Sequence, residues 1–172
     1  VNEGVCVNCG LCVKHCPVFN KIGDTSPAYL GLRLKDNKEL SESASGGVFA
    51  GFADYILENG GVVFGCAFDE NLQAQHIKTN NKAELKLIKG SKYVASNTRE
   101  TYREVSEILK DYPEKNVFYT GTPCQISGLY SFLGNKPEKL FTADIICHGV
   151  PSQKLFNKYI EWLSLKANSK II

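Results

Sequence analysis

Methionine is absent from the 172 residues, and the chain opens at Val1. At ordinary usage of roughly 2% a few would be expected, so the sequence reads as a piece of a longer or processed protein. No apolar run approaches the ~20 residues that span a bilayer, which argues against a membrane span. A signal peptide is also missing, since the chain opens polar and runs straight into cysteines. A cytoplasmic protein is expected. An excess of one charge is lacking too: 20 Lys and Arg face 18 Asp and Glu, for a formal net charge of +2. That balance offers nucleic acid no electrostatic footprint, and no basic cluster would hold an anionic membrane. What is present is a globular composition, 43% hydrophobic, enough to build a core. There is no internal repeat.

Seven cysteines occur, Cys6, Cys9, Cys12, Cys16, Cys66, Cys124 and Cys147. A secreted disulfide framework would spread and pair them. An odd number with four crowded near the start suggests reduced thiolates used as ligands. From Cys6 to Pro17 the order is C-x2-C-x2-C-x3-C-P, the bacterial ferredoxin run for a [4Fe–4S] cluster. Two-residue gaps let three thiolates converge on one cubane face, Gly10 gives the wrap backbone freedom, and Pro17 turns the chain away. Zinc sites use paired C-x2-C units with a longer spacer, so iron–sulfur is preferred. In two-cluster ferredoxins the fourth cysteine of each run binds the other cluster. Cys6, Cys9 and Cys12 would then need a ligand from a second run upstream, or from a distant cysteine. The upstream run is the expectation.

The chain divides into a cysteine segment at 1–20, a connector at 21–44 with an extended piece around 29–34, and an α/β domain at 45–172. Phe49, Phe52, Ala53, Ile56 and Leu57 share one helical face that Gly60 and Gly61 end. Residues 62–68 form an apolar run of strand length, and 75–79 a weaker one. Asn97 to Glu100 shows capping-box spacing before Tyr102, Val105, Ile108 and Leu109, with Pro113 as the stop. Strands are expected at 117–120 and 141–147. Helices are expected around Ile126, Leu129, Tyr130 and Leu133, and around Leu155, Phe156, Tyr159, Ile160 and Leu163. Strands alternating with helices predict an α/β fold, a mainly parallel sheet flanked by helices. The loops at 121–125 and 147–152 should open on one edge of it.

Several turns could hold a cofactor. Gly121, Thr122, Pro123, Cys124 and Gln125 join a strand to a helix, with Thr122 as N-cap and Pro123 at the first helical position. Free N–H groups and the helix dipole there would make an anion site, Gly121 would let a phosphate or ring approach, and the dipole would favour a Cys124 thiolate. An ordinary capped turn with a small packed cysteine explains the same residues equally well. Ser45, Gly46 and Gly47 precede another helix and could present N–H groups to a phosphate, or simply cap. Ser91, Lys92 and Tyr93 offer a hydroxyl, a cation and an aromatic, or a solvated loop. Cys147 and His148 follow a strand, where ligands of open α/β sheets gather. As strand neighbours they would point to opposite faces, which argues against a dyad. His15 and His76 are expected at the surface. No residue is singled out as catalytic.

Taken in order, six segments make a more specific pattern. They are the cysteine run, 43–49 around Ser45, Gly46 and Gly47, then 59–65, 90–94, 121–125 and 147–152. With them the chain resembles the beta-subunit family of coenzyme F420 hydrogenase/dehydrogenase, truncated at both ends. The resemblance implies an oxidoreductase that binds FAD in its α/β domain beside [4Fe–4S] clusters. It implies a redox partner protein or subunit and a small-molecule two-electron acceptor such as coenzyme F420. It makes Ser45, Gly46, Gly47, Ser91, Lys92, Tyr93, Gly121, Thr122, Pro123, Cys124, Gln125 and His148 the flavin-contacting set, and Cys6, Cys9, Cys12 and Cys16 the metal ligands. A non-enzymatic electron-transfer or docking subunit of a larger redox complex is the alternative.

Overall fold

The computed structural model of the chain describes residues 3–16, 19 and 28–170. Pro17 and the 21–27 part of the expected connector lie outside the described residues.

Strand β1 (Val62–Phe68) reads VVFGCAF, and nearly all of it is buried. A strand apolar on both faces belongs in the middle of a sheet, and β1 lies between β2 (Ala74–Thr79) and β3 (Val117–Gly121). With β4 (Leu140–Asp144), the order among the described residues is β2-β1-β3-β4. β1, β3 and β4 run parallel, while β2 returns antiparallel to β1. The Asp69 carboxylate shapes that return by accepting from Asn71 N and Gln73 N, each at 2.9 Å.

Helices cover both faces. On one, α5 (Thr101–Asp111) and α6 (Pro123–Leu133) pack Val105, Ile126 and Leu129 against Phe64, Val117 and Tyr119. On the other, α3 (Val48–Glu58) and α4 (Leu85–Ile88) pack Ala53, Ile56 and Leu85 against Val63 and Phe118. Each such large side chain, fully buried, is worth about 1.5–3 kcal/mol in transfer free energy. Beyond the sheet, α7 (Gln153–Ala167) rests Phe156 on Phe68, with ring centroids 5.6 Å apart.

The mainly parallel sheet flanked by helices is therefore found, with departures that have local causes. β4 ends at Asp144 rather than 147, because its neighbour β3 turns into α6 at Gly121; Ile145 N still reaches Gly121 O at 3.1 Å. α5 begins at Thr101 rather than near Asn97. Asn97 instead bridges to Gln75, giving its N–H to Ala74 O and taking one from His76 N. The expected connector holds a short helix, α2 (Asn37–Ser41), capped by the Asp36 carboxylate on Lys38 N and Glu39 N. The Lys89–Glu39 ion pair ties α2 to the end of α4.

Candidate functional site

The carboxyl ends of β1, β3 and β4 meet at one edge, and a short stretch at 95–97 stitches that edge together. Ala95 N donates to Pro151 O at 2.9 Å, joining the 147–152 loop. The Gln125 amide donates to Ser96 O (3.2 Å) and Ser96 Oγ (3.0 Å), joining the 121–125 turn. The Ser96 hydroxyl also meets His76 Nδ1 at 3.3 Å. Two of the four expected segments, at 121–125 and 147–152, are therefore joined at one edge by the 95–97 stretch, which follows 91–93 along the chain.

His76 is not at the surface. It is 2% exposed, stacked on Tyr119 at 5.3 Å, with Nε2 2.9 Å from Thr120 O. A carbonyl can only accept, so Nε2 carries the proton and Nδ1 accepts from Ser96. Burial holds the imidazole below its usual 6.5, although the Thr120 bond pulls the other way. Neutral His76 thus crosses β1 to clasp the end of β3. Its partners lie 20 and 44 residues away, and that is why periodicity could not find them. Cys66 sits beside this network, its thiol pushed up by burial and partly offset by Ser96 and the Lys92 ammonium.

Gln125 changes the reading of the turn. Its Oε1 accepts from Thr122 N at 3.0 Å, the glutamine half of a capping box. Pro123 has no N–H, and Gln125 N turns back to Thr122 O at 3.0 Å. Cys124 is left to carry the outward N–H of the first turn, so the expected anion cradle is largely filled by the chain itself. The space beside Gly121 is filled likewise: a Cβ there would stand 3.0 Å from Gln125 Oε1 and 3.4 Å from His76 Nε2. Cys124 is exposed, 3.1 Å from the Thr122 hydroxyl. The Tyr102 phenol holds Gln125 O at 2.7 Å, and burial pushes it up to about 12.

The other segments divide. The Lys92 ammonium caps the end of α4, donating to Leu87 O, Ile88 O, Lys89 O and Gly90 O between 2.7 and 3.3 Å. Burial lowers its pKa. Lys92 is therefore committed to carbonyls, as cations at helix C-termini are, while Ser91 and Tyr93 are exposed. Ser45, Gly46 and Gly47 lie where the chain folds onto residues 32–34; Leu34 N donates to Gly46 O at 2.9 Å. A Cβ on Gly46 would collide with Leu32 O, and one on Gly47 with the Leu34 side chain. Close packing of the chain on itself accounts for both glycines. His148 is exposed and Cys147 half-buried, with Gly149 N donating to its sulfur at 3.4 Å. A cavity of about 730 Å³ opens elsewhere, between Leu72 and Leu165 of α7.

In the cysteine segment, α1 (Leu11–Lys14) follows Gly10 in the left-handed conformation (φ 73°). Cys6, Cys9 and Cys12 are exposed and Cys16 half-buried. No three metal-binding side chains among the described residues are grouped closely enough to hold an ion. The donor set nonetheless suits iron–sulfur chemistry, with four thiols at ferredoxin spacing.

Residues 1–19 match the 4Fe–4S binding domain, and residues 114–172 match the family described as the C terminus of the coenzyme F420 hydrogenase/dehydrogenase beta subunit. Residues 114–172 are therefore similar to the C-terminal part of that beta subunit, and residues 1–19 to a 4Fe–4S binding domain. The fold of this chain is similar to a chain of the xenon-derivatized F420-reducing [NiFe] hydrogenase complex from Methanosarcina barkeri. That likeness has a TM-score of 0.59 at 22% identity and covers 75% of this chain and 47% of the other. The present chain thus spans about half the length of that relative. No curated protein matches it. Among the described residues no helix is long and apolar enough to cross a membrane.

Proposed function

We propose that this chain is the cluster- and flavin-bearing part of an oxidoreductase, working within a larger redox assembly. Cys6, Cys9, Cys12 and Cys16 supply thiolates for [4Fe–4S] chemistry, with any remaining ligand coming from outside this run. FAD lies along the edge formed by residues 91–93, 121–125 and 147–152, and a deazaflavin such as coenzyme F420 is the two-electron acceptor. A bound flavin would collect single electrons into pairs. The observation that carries this reading is the joining of the 121–125 and 147–152 loops by the 95–97 stretch at the carboxyl ends of parallel strands, where ligands of open α/β sheets bind.

The edge suits a flat ring better than a pyrophosphate. Exposed Tyr93, Cys124 and His148 offer an aromatic face, a thiol and an imidazole, while Gln125 takes the N–H that a phosphate would need. Ser45, Gly46, Gly47 and Lys92 are correspondingly weaker candidates. The test is anaerobic reconstitution with iron and sulfide, followed by titration of FAD fluorescence. Tyr93→Ala should weaken quenching while Cys124→Ser keeps most of it. Absence of quenching in the unaltered protein would remove flavin from this edge. The second reading is a docking or electron-transfer subunit without flavin. Ile145 and Ile146, 57% and 92% exposed, favour it as apolar surface beside the same loops. Cluster assembly with no flavin uptake would select it.

A further inference from the structure

The cysteine segment and the α/β body meet at a bond that joins residues 116 apart: His15 Nδ1 lies 2.7 Å from Ser131 O. Ser131 is in the last turn of α6, where the final carbonyls have no intrahelical partner. Gly134 N takes the Tyr130 carbonyl. The Ser131 carbonyl is taken by His15. Because a carbonyl only accepts, Nδ1 carries the hydrogen, and a histidine donor at a helix C-terminus also meets the negative end of the dipole. The spot is a covered one: Ser131 is 8% exposed, and its own hydroxyl is buried with no partner among the described residues. His15 directly precedes Cys16, a ligand of the ferredoxin run.

We propose that His15 is a positioning residue that seats the iron–sulfur segment on the C-terminal end of α6. The cluster then lies beside Ser131 and Phe132, and α6 separates it from the 121–125 turn. From Ser131 back to Cys124 is seven residues, or about 10 Å at 1.5 Å per residue. The proposal rests on the iron–sulfur reading of Cys6 to Cys16 and not on the flavin.

Paramagnetic broadening of backbone amides tests it in the whole chain. When the cluster is assembled, amides at 129–133 should broaden well beyond those at 123–125. His15→Ala should abolish that selective broadening with iron and sulfide content unchanged, and His15→Asn, which keeps a donor near the Nδ1 position, should restore it. Broadening that survives His15→Ala, or its absence in the fully loaded protein, overturns the proposal. If no cluster assembles, the iron–sulfur reading fails separately. The metal-free protein still decides the docking, since His15→Ala must then shift the Ser131 and Phe132 amide resonances. Unmoved resonances there refute it.

Discussion

Around Ser96 the chain has bonded its own polar groups into a closed set: His76 to Thr120, Ser96 to His76, Gln125 to Ser96 and to Thr122. Between Cys6 and Cys16 the arrangement is the opposite, with three of the four thiols exposed and no metal-holding group formed among the described residues. The first region has its shape from the polypeptide alone. The second presents four thiols at ferredoxin spacing, three of them at the surface. Edge variants should therefore be read as stability changes before they are read as cofactor effects. Cysteine variants should show the reverse.

The largest effect that would expose this contrast is expected at Gly121. Gly121→Val would drive methyl groups against Gln125 Oε1 and His76 Nε2, which already stand 3.0 and 3.4 Å from the Cβ position. Overpacking of this kind costs about 2–3 kcal/mol, so urea unfolding should show a lower midpoint with little change in slope. A valine that leaves the midpoint unmoved would mean the edge is looser than its bonds imply. Gln125→Ala should cost less, about 1–2 kcal/mol, through loss of the cap and unsatisfied partners. Gln125→Glu should not rescue it. A carboxylate can still accept from Thr122 N but cannot donate to Ser96 O. Wild-type stability in the glutamate variant would show that the Ser96 half contributes nothing.

Which parts of this were legible follows from range. β1 and β3 are short apolar runs, and α6 announces itself through Thr122, Pro123 and the spacing of Ile126, Leu129, Tyr130 and Leu133. The carboxyl-edge loops could be placed together because strand–helix turns in a parallel sheet all open at one side. His76 was misplaced because a histidine between Gln75 and Lys78 carries no local sign of burial. Its burial comes from Tyr119 and the 95–97 stretch, which only the fold brings near. Lys92 reads as a cation open to a cofactor or to solvent because nothing in the sequence marks α4, whose last carbonyls it caps. The glycine pair at 46 and 47 reads as a cap or a ligand loop, and its packing against Leu32 and Leu34 is visible only in the fold.

A smaller effect should appear with pH. His76 is neutral in the fold and its pKa lies below 6.5 because it is buried. Between that lowered value and 6.5 the unfolded chain binds more protons, so stability rises with pH across the window. The contribution is complete above 6.5 and is lost as pH falls through the folded value. Denaturant midpoints should drop on going from neutral to mildly acidic buffer. His76→Asn, though less stable at neutral pH, should show a flatter dependence. Equal slopes in the two proteins would assign the acid sensitivity to carboxylates instead.

The smallest change in body stability is expected where the chemical consequence is greatest. Cys9 is exposed and lies outside both packed clusters of the sheet, so replacing its sulfur removes little folded-state contact. Substitutions at such positions usually shift stability by within about 0.5 kcal/mol. Cys9→Ser should therefore leave the unfolding midpoint of the metal-free protein unchanged. Reconstituted iron and sulfide, by contrast, should fall sharply, since a hydroxyl is a poor substitute for a thiolate ligand to a cluster. The pairing of outcomes is what matters. A lowered midpoint in the metal-free variant would show that the cysteine segment already packs on the body strongly enough to stabilise it without metal. Unchanged iron and sulfide would take Cys9 out of the ligand set and leave the ferredoxin spacing without its function.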